Sequence, residues 1–104
     1  MISRNWRGIA KAEEADNYIT HLQTETFPQL ARIVGFVSAA ILRRQLDKGV
    51  EFLIVTTWRS MEAIEQFAGE SPIVAVVPAA VQAMMVEYDL EVAHYEIAAT
   101  YTAR

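Results

Sequence analysis

Residues 36–59, FVSAAILRRQLDKGVEFLIVTTWR, decide the fold. Two runs rich in β-branched and aromatic residues, Phe36 to Leu46 and Val50 to Arg59, flank Asp47-Lys48-Gly49, a short polar turn with a glycine, and so read as a β-hairpin. Side chains alternate along a strand. In the second run Phe52, Ile54, Thr56 and Trp58 point one way while Leu53, Val55 and Thr57 point the other. In the first run Phe36, Ala40 and Leu42 oppose Val37, Ala39 and Ile41. Both faces of the hairpin want cover, and one layer of helices supplies only one.

Before the hairpin, Ile2, Trp6 and Ile9 mark a strand from Ile2 to Ile9, and Lys11-Ala12-Glu13-Glu14 opens an acid-rich first helical turn. Ala15, Tyr18, Ile19 and Leu22 then fall at helical spacing, with Glu14, Asn17, His21 and Glu25 on the wetter side. Pro28 predicts an end or kink near Thr26-Phe27, and Gly35 releases the chain into the hairpin. After the hairpin, Ser60 caps a helix with Met61, Ile64, Phe67 and Ala68 on one face and Gly69 at its exit. Ser71-Pro72 and Pro78 each predict a fresh helix start, the last helix carrying Val81, Met84, Met85 and Tyr88 on its apolar face. Glu91 to Thr100 reads as the closing strand. The order is βαββαβ: an α+β, ferredoxin-like fold with a four-stranded antiparallel sheet and helices on one face. An apolar patch as large as the other sheet face is rare on a monomer, so a homodimer packed sheet against sheet is expected.

The 104 residues, 53% of them hydrophobic, suffice for one core and not two, so residues 1–104 form a single domain. A formal net charge of -4 argues against nucleic acid or an anionic membrane as partner. The absence of cysteine removes disulfides, thiolate metal sites and cysteine nucleophiles together. His21 and His94 lack metal-ligand spacing, so no metal is expected. Charge within the first seven residues and no long apolar run predict a cytoplasmic protein without signal peptide or membrane span. Arg7 is expected to pair with Glu96 or Glu51 across strands.

Arg4-Asn5-Trp6-Arg7-Gly8, Val50 through Ile64, Phe67-Ala68-Gly69, Ala75-Val76-Val77-Pro78 and His94-Tyr95-Glu96-Ile97 together resemble the antibiotic biosynthesis monooxygenase family of dimeric α+β barrels, over nearly the whole chain. The resemblance implies a cavity between sheet and helices where a deprotonated phenol or quinol meets dioxygen without metal or flavin. It implies His94 as base, Asn5 as hydrogen-bond donor to a substrate oxygen, and Trp58 as confining wall. Tyr18, Phe67, Met84 and Tyr88 are candidate substrate contacts: two hydroxyls, a ring and an adaptable thioether. The family's haem-degrading branch places a Trp where Phe67 stands and a His on the following helical segment. This chain has no histidine between His21 and His94, so no haem and no other cofactor is expected. Each candidate also has a plainer role: Trp58 in the core, His94 in the dimer interface, Asn5 satisfying a backbone group. Two functions follow. One is a cofactor-independent oxygenase of a hydrophobic phenol or hydroquinone; the other is a non-catalytic dimeric binding or stress-associated protein holding an apolar ligand in the same cavity.

Overall fold

A computed structural model describes residues 1–104. Strand β1 (Ile2–Ala10) leads through a 3-10 turn (Ala12–Glu14) into helix α1 (Ala15–His21), a π-helical turn (Leu22–Thr26) and helix α2 (Phe27–Leu30). The hairpin β2 (Phe36–Leu46) and β3 (Gly49–Trp58) follows, then α3 (Met61–Ala68), α4 (Ala79–Met84), β4 (Met85–Tyr88) and β5 (Ala93–Glu96). The sheet is antiparallel in the order β2-β3-β1-β4, with β5 also on β1. Because β4 pairs with Gly8 to Ala10 and β5 with Ile2 to Asn5, the two form one interrupted strand along the outer edge of β1. The ferredoxin-like order is thus present, with its last strand broken. No helix is long and apolar enough to cross a membrane.

The hairpin closes where expected, Leu46 facing Gly49 across Asp47-Lys48. Gly49 has φ +152°, and a Cβ there would stand 2.3 Å from the carbonyl oxygen of Ala10. Gly49→Ala is therefore expected to destabilise the fold by about 1–3 kcal/mol, the usual cost of forcing extra volume into a packed contact. A urea midpoint equal to that of the native chain would contradict so close an approach of the hairpin to β1.

Alternation holds in β3, where Val50, Phe52, Ile54, Thr56 and Trp58 are buried under the helices. In β2 a bulge between Phe36 and Ser38 shifts the register. Phe36 therefore opposes Trp58 and shares the covered face with Ala39 and Ile41, rather than with Ala40 and Leu42 as strict alternation predicts. Its ring meets Trp58 edge-on at 5.2 Å.

Three other expectations are corrected. Of the two outcomes expected near Thr26-Phe27, an end or a kink, the first helix does not end there. A proline lacks an N–H and crowds the preceding turn, and here the π-helical turn widens before Pro28 so that the helical path continues to Leu30. No helix starts at Ser71-Pro72. Residues 69–78 instead form a strap tied to residues 89–92: Ala75 N–H donates to the Leu90 carbonyl (2.9 Å), Val92 N–H to the Ile73 carbonyl (2.8 Å), and Val74 bridges Glu91. The strap also explains the broken final strand. Asp89 N–H still donates to the Arg7 carbonyl of β1 (3.0 Å), but beyond it Leu90, Glu91 and Val92 are paired with the strap and the strand on β1 lapses until Ala93. Lastly, α4 ends at Met84, so Met85 and Tyr88 lie on β4 and not on a helix face, and the strand expected from Glu91 to Thr100 is confined to Ala93–Glu96.

The interior has two centres. One gathers Tyr18, Leu22, Phe52, Ile54, Val81 and Met85 under α1 and α4; the other gathers Leu30, Trp58, Ala63 and Ile64 under α3. Phe27 packs against both. Ser60 caps α3 as expected, its hydroxyl accepting from Ala63 N–H at 3.2 Å.

Candidate functional site

A cavity lies between the two core clusters. The rings of Trp6, Tyr18, Phe27 and Phe67 wall it, Ile54 and Thr56 come from the sheet, and Leu22, Thr26, Leu30, Val76 and Val92 complete it. Its free volume is about 70 Å³. Arg4 is the one charged residue in the lining.

The presence of that guanidinium follows from strand parity. Trp6 and Gly8 face the helices, the indole lying over Gly8, and Arg4 stands two residues earlier on the same side of β1. Only 5% of Arg4 is exposed. Its Nη1 donates to the carbonyl of Pro72 and to Nε2 of His94 (3.0 Å), its Nη2 donates to the carbonyl of Val74 (3.3 Å), and its Cζ lies 5.7 Å from the centre of the Phe67 ring. Arg4 thereby holds the strap to the sheet. The ion pairs of the chain are Arg7–Glu51, Arg43–Asp16, Arg44–Glu51 and Lys48–Glu87, so no carboxylate answers Arg4.

Burial lowers the pKa of Arg4 to about 10, which leaves it cationic at neutral pH. His94 sits opposite Arg4 in the β1–β5 pairing, and burial, then the Arg4 charge, hold its pKa below the usual value. A guanidinium can only donate, so Nε2 of His94 must carry its lone pair and the ring is neutral with its proton on Nδ1. Burial pushes the Tyr18 phenol well above its usual range. No group of His, Cys, Asp or Glu side chains is arranged to hold a metal ion.

Of the residues singled out from the sequence, Tyr18 and Phe67 are in the cavity wall. His94 stands one step behind it, through Arg4. Trp58 lies beneath it, fully buried, its Nε1 donating to Thr56 Oγ1 at 2.8 Å and its ring stacked on Phe67 at 6.3 Å. Met84 and Tyr88 pack against the first core cluster outside the lining, Tyr88 reaching the back of Trp6 at 6.3 Å. Asn5 is on the other face of the sheet. One residue after Arg4, it has the opposite parity, and its Nδ2 donates to Ser3 Oγ (3.0 Å) and the Ala93 carbonyl (3.3 Å). The structure therefore does not bring Asn5 together with His94 and Trp58. The residue that sequence reading passed over is Arg4, and its signal was a charge in step with Trp6 and Gly8 on an inward-facing strand.

No family profile and no curated protein matches the chain. Solved structures do. One is a candidate antibiotic biosynthesis monooxygenase from Bacillus cereus, 16% identical, aligned over 100% of this chain and 97% of that one with a TM-score of 0.70. Another is a point mutant of MhuD with two manganese protoporphyrin IX molecules bound per active site, 15% identical, aligned over 99% of this chain and 100% of that one with a TM-score of 0.69. The chain shares their fold. A porphyrin does not fit the residues here: the cavity is small, no histidine lines it, and Nε2 of His94 is engaged by a buried cation.

Proposed function

We propose that the cavity takes a small hydrophobic phenol or hydroquinone and that the protein, as a homodimer, promotes its reaction with dioxygen without a metal, flavin or haem. One observation carries this reading: four aromatic rings enclose a site at whose edge a buried cation and a neutral imidazole meet. The shared fold supports it, since a neighbour of the same fold is described as an antibiotic biosynthesis monooxygenase candidate. Cavities that admit benzene are on the order of 150 Å³. The 70 Å³ here is about half of that, so one ring rather than several is taken, with half-buried Phe67 and exposed Val76 giving way as it enters.

In the reaction, loss of the hydroxyl proton gives an electron-rich phenolate. Dioxygen then takes electrons from its ring, one oxygen atom bonds to a ring carbon as a new carbonyl, and the other leaves as water with the hydroxyl proton and the ring hydrogen. A phenol has a pKa near ~10, so a group that favours its anion at neutral pH accelerates the first step, by about 10²- to 10⁴-fold for a positioned base. His94 is the candidate for that role only if its Nε2 leaves Arg4.

The non-catalytic alternative has its own support. Among the lining residues Arg4 and Tyr18 titrate, and both stay in one charge state at neutral pH. Oxygen consumption with single-ring hydroquinones and with larger anthrone-like phenols, without added cofactor, separates the readings. Uptake with the small compounds, and its loss in His94→Ala, is expected for the oxygenase. No uptake with any compound removes the oxygenase and favours the binding protein.

A further inference from the structure

We propose that Arg4 is an anion-binding group and that the cavity selects an aryl anion, its oxygen on the free N–H donors of the guanidinium and its ring among Trp6, Tyr18 and Phe67. This rests on the reading that the cavity takes a single aromatic ring, and adds to it the charge of the bound form.

The argument is one of missing charge. Buried charges are normally answered by an opposite charge, because removing one from water is costly. Arg4 is answered only by two carbonyl dipoles, a neutral imidazole and the face of Phe67. A guanidinium carries five N–H donors. Three are engaged, by Pro72, His94 and Val74, which leaves two for a ligand. The remaining lining holds no other charge, so an anion entering beside Arg4 meets an uncompensated cation in a site of low dielectric, where attraction is strongest. Were Arg4 merely a tether for the strap, the charge of the ligand would be irrelevant.

His94 then acts as a positioning residue. Its neutral Nε2 accepts from Nη1 and turns the guanidinium without cancelling its charge, whereas a carboxylate in its place would have satisfied Arg4 and closed the anion site. For holding Arg4, as distinct from taking a substrate proton, a side chain that accepts a hydrogen bond but never titrates should serve equally well.

The probes are 4-fluorophenol, 4-fluorobenzoate and the neutral 4-fluorotoluene, followed by fluorine NMR, where phenol and phenolate resonate at different shifts. With the native chain, bound 4-fluorophenol is expected to titrate at least about one pH unit lower than free, a tenfold preference for the anion. The benzoate arm shows whether a carboxylate is taken as readily as a phenolate. Arg4→Met should abolish the shift, and Arg4→Lys should keep part of it. In case loss of Arg4 unseats the strap, His94→Gln provides a second test: it should retain the shift that His94→Leu weakens. Equal affinity for 4-fluorotoluene and the anions, with no shift in titration, overturns the proposal while leaving the aromatic cavity intact. Failure of all three to bind overturns both. An anion preference without oxygen uptake leaves the proposal standing and removes the oxygenase.

Discussion

Trp58→Ala should cost about 3–5 kcal/mol of stability, a large share of the roughly 5–15 kcal/mol that holds a domain folded. Trp58 is the largest fully buried side chain and the centre of the second core cluster. Phe36 meets its ring edge-on, Phe67 stacks on it, and its indole N–H satisfies the Thr56 hydroxyl, which in turn donates to the Arg4 carbonyl at 3.4 Å. Truncation leaves a void beneath two rings and takes away the donor to Thr56. Trp58→Phe keeps most of the packing and should cost far less, with about 0.5–1.5 kcal/mol for the lost hydrogen bond. Urea unfolding of both variants, followed by far-UV circular dichroism, checks the order. A native-like midpoint for Trp58→Ala would mean that this cluster does not support the fold. If Trp58→Phe folds and retains ligand binding, Trp58 serves the cavity by bracing Phe67 and Thr56 rather than by touching the ligand.

The hairpin, the first strand and the two apolar helix faces were legible because each is a local periodicity, and local periodicity is what burial on one side of an element imposes. Arg7 is expected to pair across strands with Glu96 or Glu51, and it is Glu51 that it meets, at 2.6 Å. What escaped is set by distant partners. The bulge after Phe36 exists because Phe36 must turn under the helices to reach Trp58, a demand written 22 residues away in the chain. Ser71-Pro72 carries a good local helix start, yet the Pro72 carbonyl accepts from Arg4 and the next residues, Ile73 to Ala75, pair with residues 90–92. For the site, aromatic type drew attention to Tyr18 and Phe67, whereas sequence reading gave Arg4 no role and made Asn5 a site residue. Strand parity alone exchanges the two: Trp6 lines the cavity, which puts Arg4 inside and Asn5 outside.

Leu53→Asp should turn the proposed homodimer into a monomer. The uncovered sheet face carries Leu42 and Leu53, 48% and 37% exposed, together with Tyr95, 62% exposed, and only 19 of 104 residues are buried in the isolated chain. Its charges are already paired among themselves. Glu51 lies between Arg44 and Arg7, whose hydrogen bonds hold its carboxyl below the usual range, and Lys48 pairs with Glu87. A face that is apolar at its centre, with its carboxylates held in ion pairs at its rim, can meet a copy of itself about a two-fold axis with the apolar centre buried and the charges left at the edge. An aspartate at position 53 destroys that property twice, once from each copy. An unpaired buried charge costs about 3–5 kcal/mol, equivalent for each copy to a weakening on the order of 10²- to 10⁴-fold. Light scattering at micromolar concentration should report a dimer for the native chain and for Val34→Asp, a substitution at an 89% exposed position off the sheet, and a monomer for Leu53→Asp. A native chain that scatters as a monomer sinks the dimer. The same geometry assigns Asn5 a place: bonded to Ser3 and Ala93 on this face, it would belong to the contact between copies, and Asn5→Ala should alter association while leaving ligand binding beside Arg4 unchanged.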